Sequence, residues 1–230
     1  MIVIAVAQSK GGVGKTTLAV NVAGEITRYD RSVTLVDADP QGGAFRWAEP
    51  RRLNFPVSRD LLSPRNPLLW VRNVLKAGSD FVIIDLQAGF GPTFEAAVMI
   101  ADLLVVPSGP SSLDLGAARA TIAKARDVRR SDPLSASLKL VTVPTKVDTT
   151  FEEGTEIVEA LHDLGEPVAT PLSYDVDFVR SFTAGTTVST SDGGSRAGED
   201  VRKLSLFLLK QVMPRHAKLP GLGQDGAAAR

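Results

Sequence analysis

Five short Val/Ile/Leu-rich runs punctuate the chain, at 2–7, 33–36, 81–84, 103–106 and 138–143. None of them alternates strictly with polar positions. Largely apolar character over so few residues predicts strands covered on both faces. Helical stretches lie between them at 16–29, 113–130 and 151–164, with a last one at 200–212. In the first, Leu18, Val22 and Ile26 fall at i, i+4 and i+8, which predicts one buried stripe. Residues 167–172 predict a sixth strand. Strand–helix alternation implies a parallel sheet with right-handed crossovers. No repeat or linker breaks the pattern. The expected fold class is therefore α/β, three α/β/α layers around a mainly parallel central sheet, as one domain over residues 1–213. The end of the chain is rich in Gly and Ala, so residues 214–230 predict a flexible tail.

Composition narrows the chemistry. With 230 residues the chain is long enough for a sizeable core. It has no cysteine, which excludes disulfides, thiolate zinc sites, Cys-ligated iron–sulfur clusters and a Cys nucleophile. Its two histidines, His162 and His216, are too far apart in sequence to suggest a metal site. The apolar start at 1–7 has no preceding basic residue and is too short for a signal peptide. Later apolar runs fall far short of the roughly 20 residues that span a bilayer. The expected location is the cytoplasm. Basic and acidic residues balance at 26 each, which neither advertises nucleic-acid binding nor excludes a local basic patch.

Between the first strand and the first helix lies Ser9-Lys10-Gly11-Gly12-Val13-Gly14-Lys15-Thr16-Thr17. A glycine-rich turn can wrap backbone N–H groups around a phosphate chain without obstruction from Cβ atoms. The helix that follows adds unpaired donors and the positive end of its dipole. In such a loop Lys15 reaches the β- and γ-phosphates and the Thr16 hydroxyl ligates Mg²⁺. Ser9 stands where the general phosphate-loop pattern begins with glycine. Asp85 ends the apolar run at 81–84, the pattern of a carboxylate that holds Mg²⁺ beside Thr16, through a water.

A second lysine, Lys10, precedes the glycines, and the second strand ends in Val36-Asp37-Ala38-Asp39-Pro40-Gln41. Together these resemble the deviant Walker A ATPases of the ParA/MinD group, and the acidic strand end resembles the ParA branch, among its small members without an N-terminal helix-turn-helix. The resemblance covers roughly the first 210 residues and is most specific in the first 45. It implies a P-loop fold, Mg²⁺ and ATP at residues 10–17, and a nucleotide-sandwich homodimer in which Lys10 reaches the partner's phosphates. It further implies that Asp39 orients or activates the attacking water, making Lys10, Lys15 and Asp39 the catalytic set. Asp37 points to the other face if the strand continues through it, where support is as plausible as function.

The chain departs from the family after Asp85. It reads Leu86-Gln87-Ala88-Gly89-Phe90-Gly91-Pro92 where members carry a Thr-Pro-Pro-Gly-like switch. Gln87 is a candidate contact for the γ-phosphate or the water. Lys146 is a further nucleotide-binding candidate, because Thr145-Lys146-Val147-Asp148 resembles the guanine-specificity signature of signal-recognition GTPases. The early motifs favour ATP, and GTP stays the alternative.

The resemblance also implies an ATP-dependent dimer that binds nonspecific DNA, associates with the nucleoid, and is stimulated in a weak hydrolysis by a ParB-like adaptor. Such a cycle serves plasmid or chromosome partition or the positioning of cargo. Arg180, Arg196, Arg202 and Lys203 are the candidate DNA contacts. The rival reading is a MinD-like membrane-cycling ATPase, which would use Val201, Leu204, Leu208 and Val212 as a membrane-facing stripe. Such a stripe packs more often on its own protein, so membrane binding is not expected.

Overall fold

The computed structural model describes residues 1–148, 150–190 and 194–213. Its strands are β1 Ile2–Val6, β2 Val33–Asp37, β3 Val57–Arg59, β4 Phe81–Asp85, β5 Leu103–Ser108 and β6 Lys139–Pro144. The helices are α1 Lys15–Thr27, α2 Gly43–Ala48, α3 Pro67–Leu75, α4 Pro92–Ile100, α5 Ser112–Ser131, α6 Glu152–His162, α7 Val176–Ala184 and α8 Arg196–Val212. All strands pair in parallel in one sheet of order β3-β2-β4-β1-β5-β6. The predicted tail, with Arg215, His216 and Lys218, lies outside the described residues.

Alternate strand residues feed two separate cores, which is why the strands read as largely apolar runs. Ile4, Val6, Phe81, Ile83, Leu103 and Val105 meet α1 and α8 on one face. Val3, Ala5, Val82, Ile84, Leu104 and Val106 meet residues of α3, α4, α5 and α6 on the other. These are the expected three layers, with the parallel sheet in the middle.

Two local expectations need correction. Residues 167–172 form no regular strand; they make only two parallel bridges to β6 and its end, Thr142 to Val168 and Thr145 to Leu172. Pro167 and Pro171 remove two backbone donors from that segment, which limits it to isolated pairing. The sixth strand is instead β3, three residues at the sheet edge, of which Ser58 and Arg59 are exposed. Helix α1 is buried nearly all round, not along a single stripe, because α8 covers the side turned away from the sheet. In α8 itself Val201, Leu204 and Leu208 are fully buried in that same core and Val212 partly so. The stripe that could have faced a membrane is packed inside the protein. No described helix is long and apolar enough to cross a membrane.

Gly24 in the middle of α1 gives a quantitative test of this packing. A Cβ placed there would meet Thr187 Cγ2 at 2.6 Å and its Cβ at 3.2 Å. Thr187 is buried, and the adjoining Val188 N–H donates to Asn21 Oδ1 at 2.9 Å, so the segment is tied down. Alanine would gain about 1 kcal/mol of helix propensity. Overpacking of this kind costs about 1–3 kcal/mol. Gly24→Ala is therefore expected to lower the denaturant midpoint despite its better propensity.

Candidate functional site

The carboxyl ends of β1, β2, β4 and β6 converge on one edge, where parallel α/β sheets hold their ligands. The loop 7–14 rises from β1 and turns into α1. Gly12 and Gly14 have φ of 77° and 91°, the left-handed region that glycine enters without penalty. Gly14 is the N-cap of α1 and supplies no side-chain cap, so the first-turn amides of this 13-residue helix stay open to an anion. Val13 turns its side chain into the protein.

The loop is held from three sides. Buried Gln8 donates to the Pro107 carbonyl at 3.1 Å, and its Oε1 accepts from Ser9 N–H at 2.7 Å and Thr121 Oγ1 at 2.9 Å. Thr145 Oγ1 donates to the Val13 carbonyl at 2.8 Å and Lys146 Nζ to the Gly12 carbonyl at 2.7 Å. Lys146, a predicted nucleotide contact, thus grips the loop itself as well as lining the cleft. Lys15 Nζ donates to the Lys10 carbonyl at 3.1 Å across the inside of the turn. Burial pushes the Lys15 ammonium below its usual pKa, while Asp85 and Asp39 pull the other way.

Three strand-end aspartates have different surroundings. Asp37 and Asp85 are register partners on neighbouring strands and both are fully buried. Asp37 accepts from Asp39 N–H at 3.1 Å and Phe45 N–H at 2.8 Å, using both oxygens to hold the turn into α2. Asp39 lies at the cleft, and its Oδ1 accepts from Gln41 N–H at 2.8 Å. Asp85 Oδ2 accepts from the Thr16 hydroxyl at 2.7 Å, while its buried Oδ1 has no partner. Burial above all pushes Asp85 up to about 7; the Thr16 bond opposes this, and the neighbouring aspartates add to it.

An orphaned buried carboxylate oxygen is costly unless something polar or cationic completes it. Because the Thr16 hydroxyl donates its hydrogen to Asp85, its lone pairs remain available. This donor set fits Mg²⁺, which takes few protein ligands and keeps waters and phosphate oxygens. The described residues hold no cluster of three or more His, Asp or Glu that would suit a more protein-enclosed metal.

Two cavities meet here. A cleft of about 590 Å³ is lined by Gly11, Gly12, Gly14, Lys15, Thr16, Thr17, Asp39, Gln87 and Lys146, among others. A second, of about 500 Å³, shares Gly14, Thr16, Thr17 and Lys146 and is otherwise largely apolar, with Trp47, Leu172, Phe178 and Phe182. The first is lined mainly by loop backbone and polar groups, the second by apolar rings together with Ser173 and Asp175. Asp148, the carboxylate of the guanine-like signature, lines neither: it is tied to Thr150 at 2.7 Å and faces Arg196 at 3.9 Å.

Lys10 also lies outside the cleft lining. Its Nζ sits 2.6 Å from Asp114 Oδ1, and the side chain is 39% exposed. Asp114 belongs to the capping box that starts α5 and also accepts from Ser111 Oγ at 2.6 Å. The motif Ser111-x-x-Asp114 was readable as a helix start. Its ion pair with Lys10, 104 residues away, had no local signal.

The candidate DNA contacts are exposed but not bare. Arg180 pairs with Asp177 at 3.0 Å, while Arg202 and Lys203 share Glu199 at 2.8 and 3.5 Å. The hydrogen bond from Arg202, with help from Lys203, brings Glu199 down to about 2. Arg196 is the one turned toward Asp148.

Residues 4–188 match the family model for the CobQ/CobB/MinD/ParA nucleotide binding domain, and the chain belongs to this family of ParA/MinD-type ATPases. Among its relatives is a maintenance of carboxysome distribution protein A from Gloeobacter kilaueensis, 42% identical over 54% of this chain. That match spans 56% of the relative's own length. A probable plasmid-partitioning protein ParA from Thermus thermophilus is 27% identical across 94% of this chain and 81% of that one. A Cyanothece McdA variant in complex with ATP shares the fold, with a TM-score of 0.72 and 18% identity over 92% of this chain and 96% of the other.

Proposed function

We propose that the chain is a positioning ATPase that binds Mg-ATP, pairs face to face with a second copy, holds nonspecific DNA in that state and lets go after hydrolysis. The observation that carries this reading is a division of labour between two lysines. Lys15 is buried inside its own phosphate cleft, whereas Lys10 stays outside it, half-exposed beside Asp114. A cation placed at the rim, unused by its own cleft, suits a site completed by another subunit.

In this reading Gly11, Gly12, Val13 and Gly14 wrap the phosphates with backbone amides, Lys15 neutralises the β- and γ-phosphates, and Thr17 stands between phosphates and sugar. Thr16 and Asp85 would hold Mg²⁺, whose charge stabilises the phosphate oxygens during transfer. Lys146 steadies the loop next to the base, and Lys10 crosses to the partner's nucleotide. Asp39 takes a proton from the attacking water, and the weak hydrolysis rises when an adaptor protein docks. The early motifs favour ATP over GTP; Asp148, the carboxylate of the guanine-like signature, lines neither cavity, and the carboxylate at the second one is that of Asp175. The protein would be cytoplasmic and nucleoid-associated while ATP is bound. Its cargo is of the kind for which the relatives are named, a compartment or a plasmid.

The DNA face is assigned to Arg180, Arg196, Arg202 and Lys203. Each must exchange a carboxylate neighbour for a phosphate, so binding per subunit is weak and doubling across a dimer matters. Co-sedimentation with DNA should require ATP and fall steeply with salt, the logarithmic slope losing about 0.9 for each phosphate contact. Equal binding without nucleotide would overturn the reading. Flotation with anionic vesicles in place of DNA binding would favour the membrane-cycling alternative, although α8 keeps its apolar face inside.

A further inference from the structure

Gln87 stands where the sequence departs from the family's switch pattern, and it lines the phosphate cleft together with Lys15, Thr16 and Asp39. The backbone leading to it is fixed: Asp85 and Leu86 are buried, and Leu86 N–H donates to the Val6 carbonyl at 3.2 Å. Beyond it the chain turns at Gly89, at φ 98°, and reaches Gly91, the N-cap of α4. A Cβ on Gly91 would lie 3.6 Å from Gln87 Nε2, so the carboxamide rests over that glycine. Among the described residues it makes no hydrogen bond within the protein. A carboxamide beside a phosphate site, half-buried and unpaired, offers one acceptor and two donors to whatever fills the cleft.

Asp39 lines the same cleft and also has acceptor capacity to spare. One of its oxygens is taken by Gln41 N–H. An attacking water has two hydrogens to direct away from phosphorus, and a group on a second strand end can hold the other one. We propose that Gln87 is a second catalytic group for hydrolysis: its Oε1 accepts one hydrogen of the water while Asp39 accepts the other. This rests on the assignment of Asp39-assisted ATP hydrolysis made above. The water oxygen forms the new bond to the γ-phosphorus, and the bond to the bridging oxygen breaks with its electron pair going to ADP. One water proton passes to Asp39 and from there to solvent. The other stays on the inorganic phosphate. Gln87 neither gains nor loses a proton; it aims the water.

The test compares wild type, Gln87→Ala, Gln87→Met and Asp39→Ala in single-turnover hydrolysis of ATP, with nucleotide affinity measured separately by a fluorescent ATP analogue. Methionine keeps the length of the side chain and removes its hydrogen bonds. Both Gln87 variants are expected to hydrolyse about 10²-fold more slowly while affinity stays within roughly twofold, a loss in the chemical step alone. A wild-type rate in either variant, or a fall in affinity that matches the fall in rate, overturns the inference. If Gln87→Ala is active and Asp39→Ala is not, only the role of Gln87 fails. An inactive wild type or an active Asp39→Ala removes the underlying reading as well.

Discussion

Replacing Lys15 with alanine is expected to abolish nucleotide binding while leaving the fold intact. Lys15 is buried inside the phosphate loop, and among the described residues its ammonium donates to the Lys10 carbonyl at 3.1 Å and to no other protein group. An ammonium kept short of water and of protein partners is held for an anion. A charge-assisted bond of this sort contributes about 1.5–3 kcal/mol, and neutralising a triphosphate multiplies it. Affinity for ATP should fall at least about 10²-fold. The loop has other anchors, in Gln8, Thr145 and Lys146, so thermal stability without nucleotide should change little. Titration calorimetry and a melting curve read the two effects separately. Wild-type affinity in Lys15→Ala would mean that the cleft is not a phosphate site.

Asp39→Ala is expected to keep ATP binding and the dimer but to stop hydrolysis. The Asp39 side chain holds no part of the phosphate loop: among the described residues it accepts from Gln41 N–H, two residues on. Removing a proton acceptor beside the attacking water costs about 10²–10⁴-fold in rate. The neighbouring Asp37→Ala should behave differently, since it leaves the amides of Asp39 and Phe45 unpaired and loosens the turn itself. Phosphate release and size-exclusion chromatography with ATP distinguish the two. A hydrolytically normal Asp39→Ala protein would return the role to another group.

Where local chemistry dictates structure, the sequence was legible. Val/Ile/Leu-rich runs announced β1, β2, β4, β5 and β6, because a strand sandwiched between helices has little face to leave polar. The loop at 9–17 and Asp85 at a strand end were readable for the same reason: backbone wrapping and metal binding restrict residue type at fixed spacing. Long-range pairings were not. Nothing near Lys10 announces Asp114, and nothing near Thr145 announces its bond to Val13. β3 escaped notice because three residues at a sheet edge, two of them exposed, carry no period to detect. The short helices α2, α3, α4 and α7 were missed, although α3 and α7 carry local start signals in Asn66 and Asp175, whose side chains accept from Leu69 and Asp177 N–H. Charge was the hardest to read. A balanced total left a local basic patch open, and on α7 and α8 the two signs are interleaved.

In the proposed dimer, the pairing of Lys10 with Asp114 would set a threshold for assembly. The pair is partly buried, with the Lys10 side chain 39% exposed and Asp114 buried, so Lys10 has a counter-charge to leave before it can cross. A second subunit can draw the lysine across only by offering a stronger counter-charge than one carboxylate held at 2.6 Å. A triphosphate meets that demand by a wider margin than a diphosphate does. In such an exchange Asp114 acts as a comparator, and the outcome of each encounter depends on how many phosphates the approaching subunit carries.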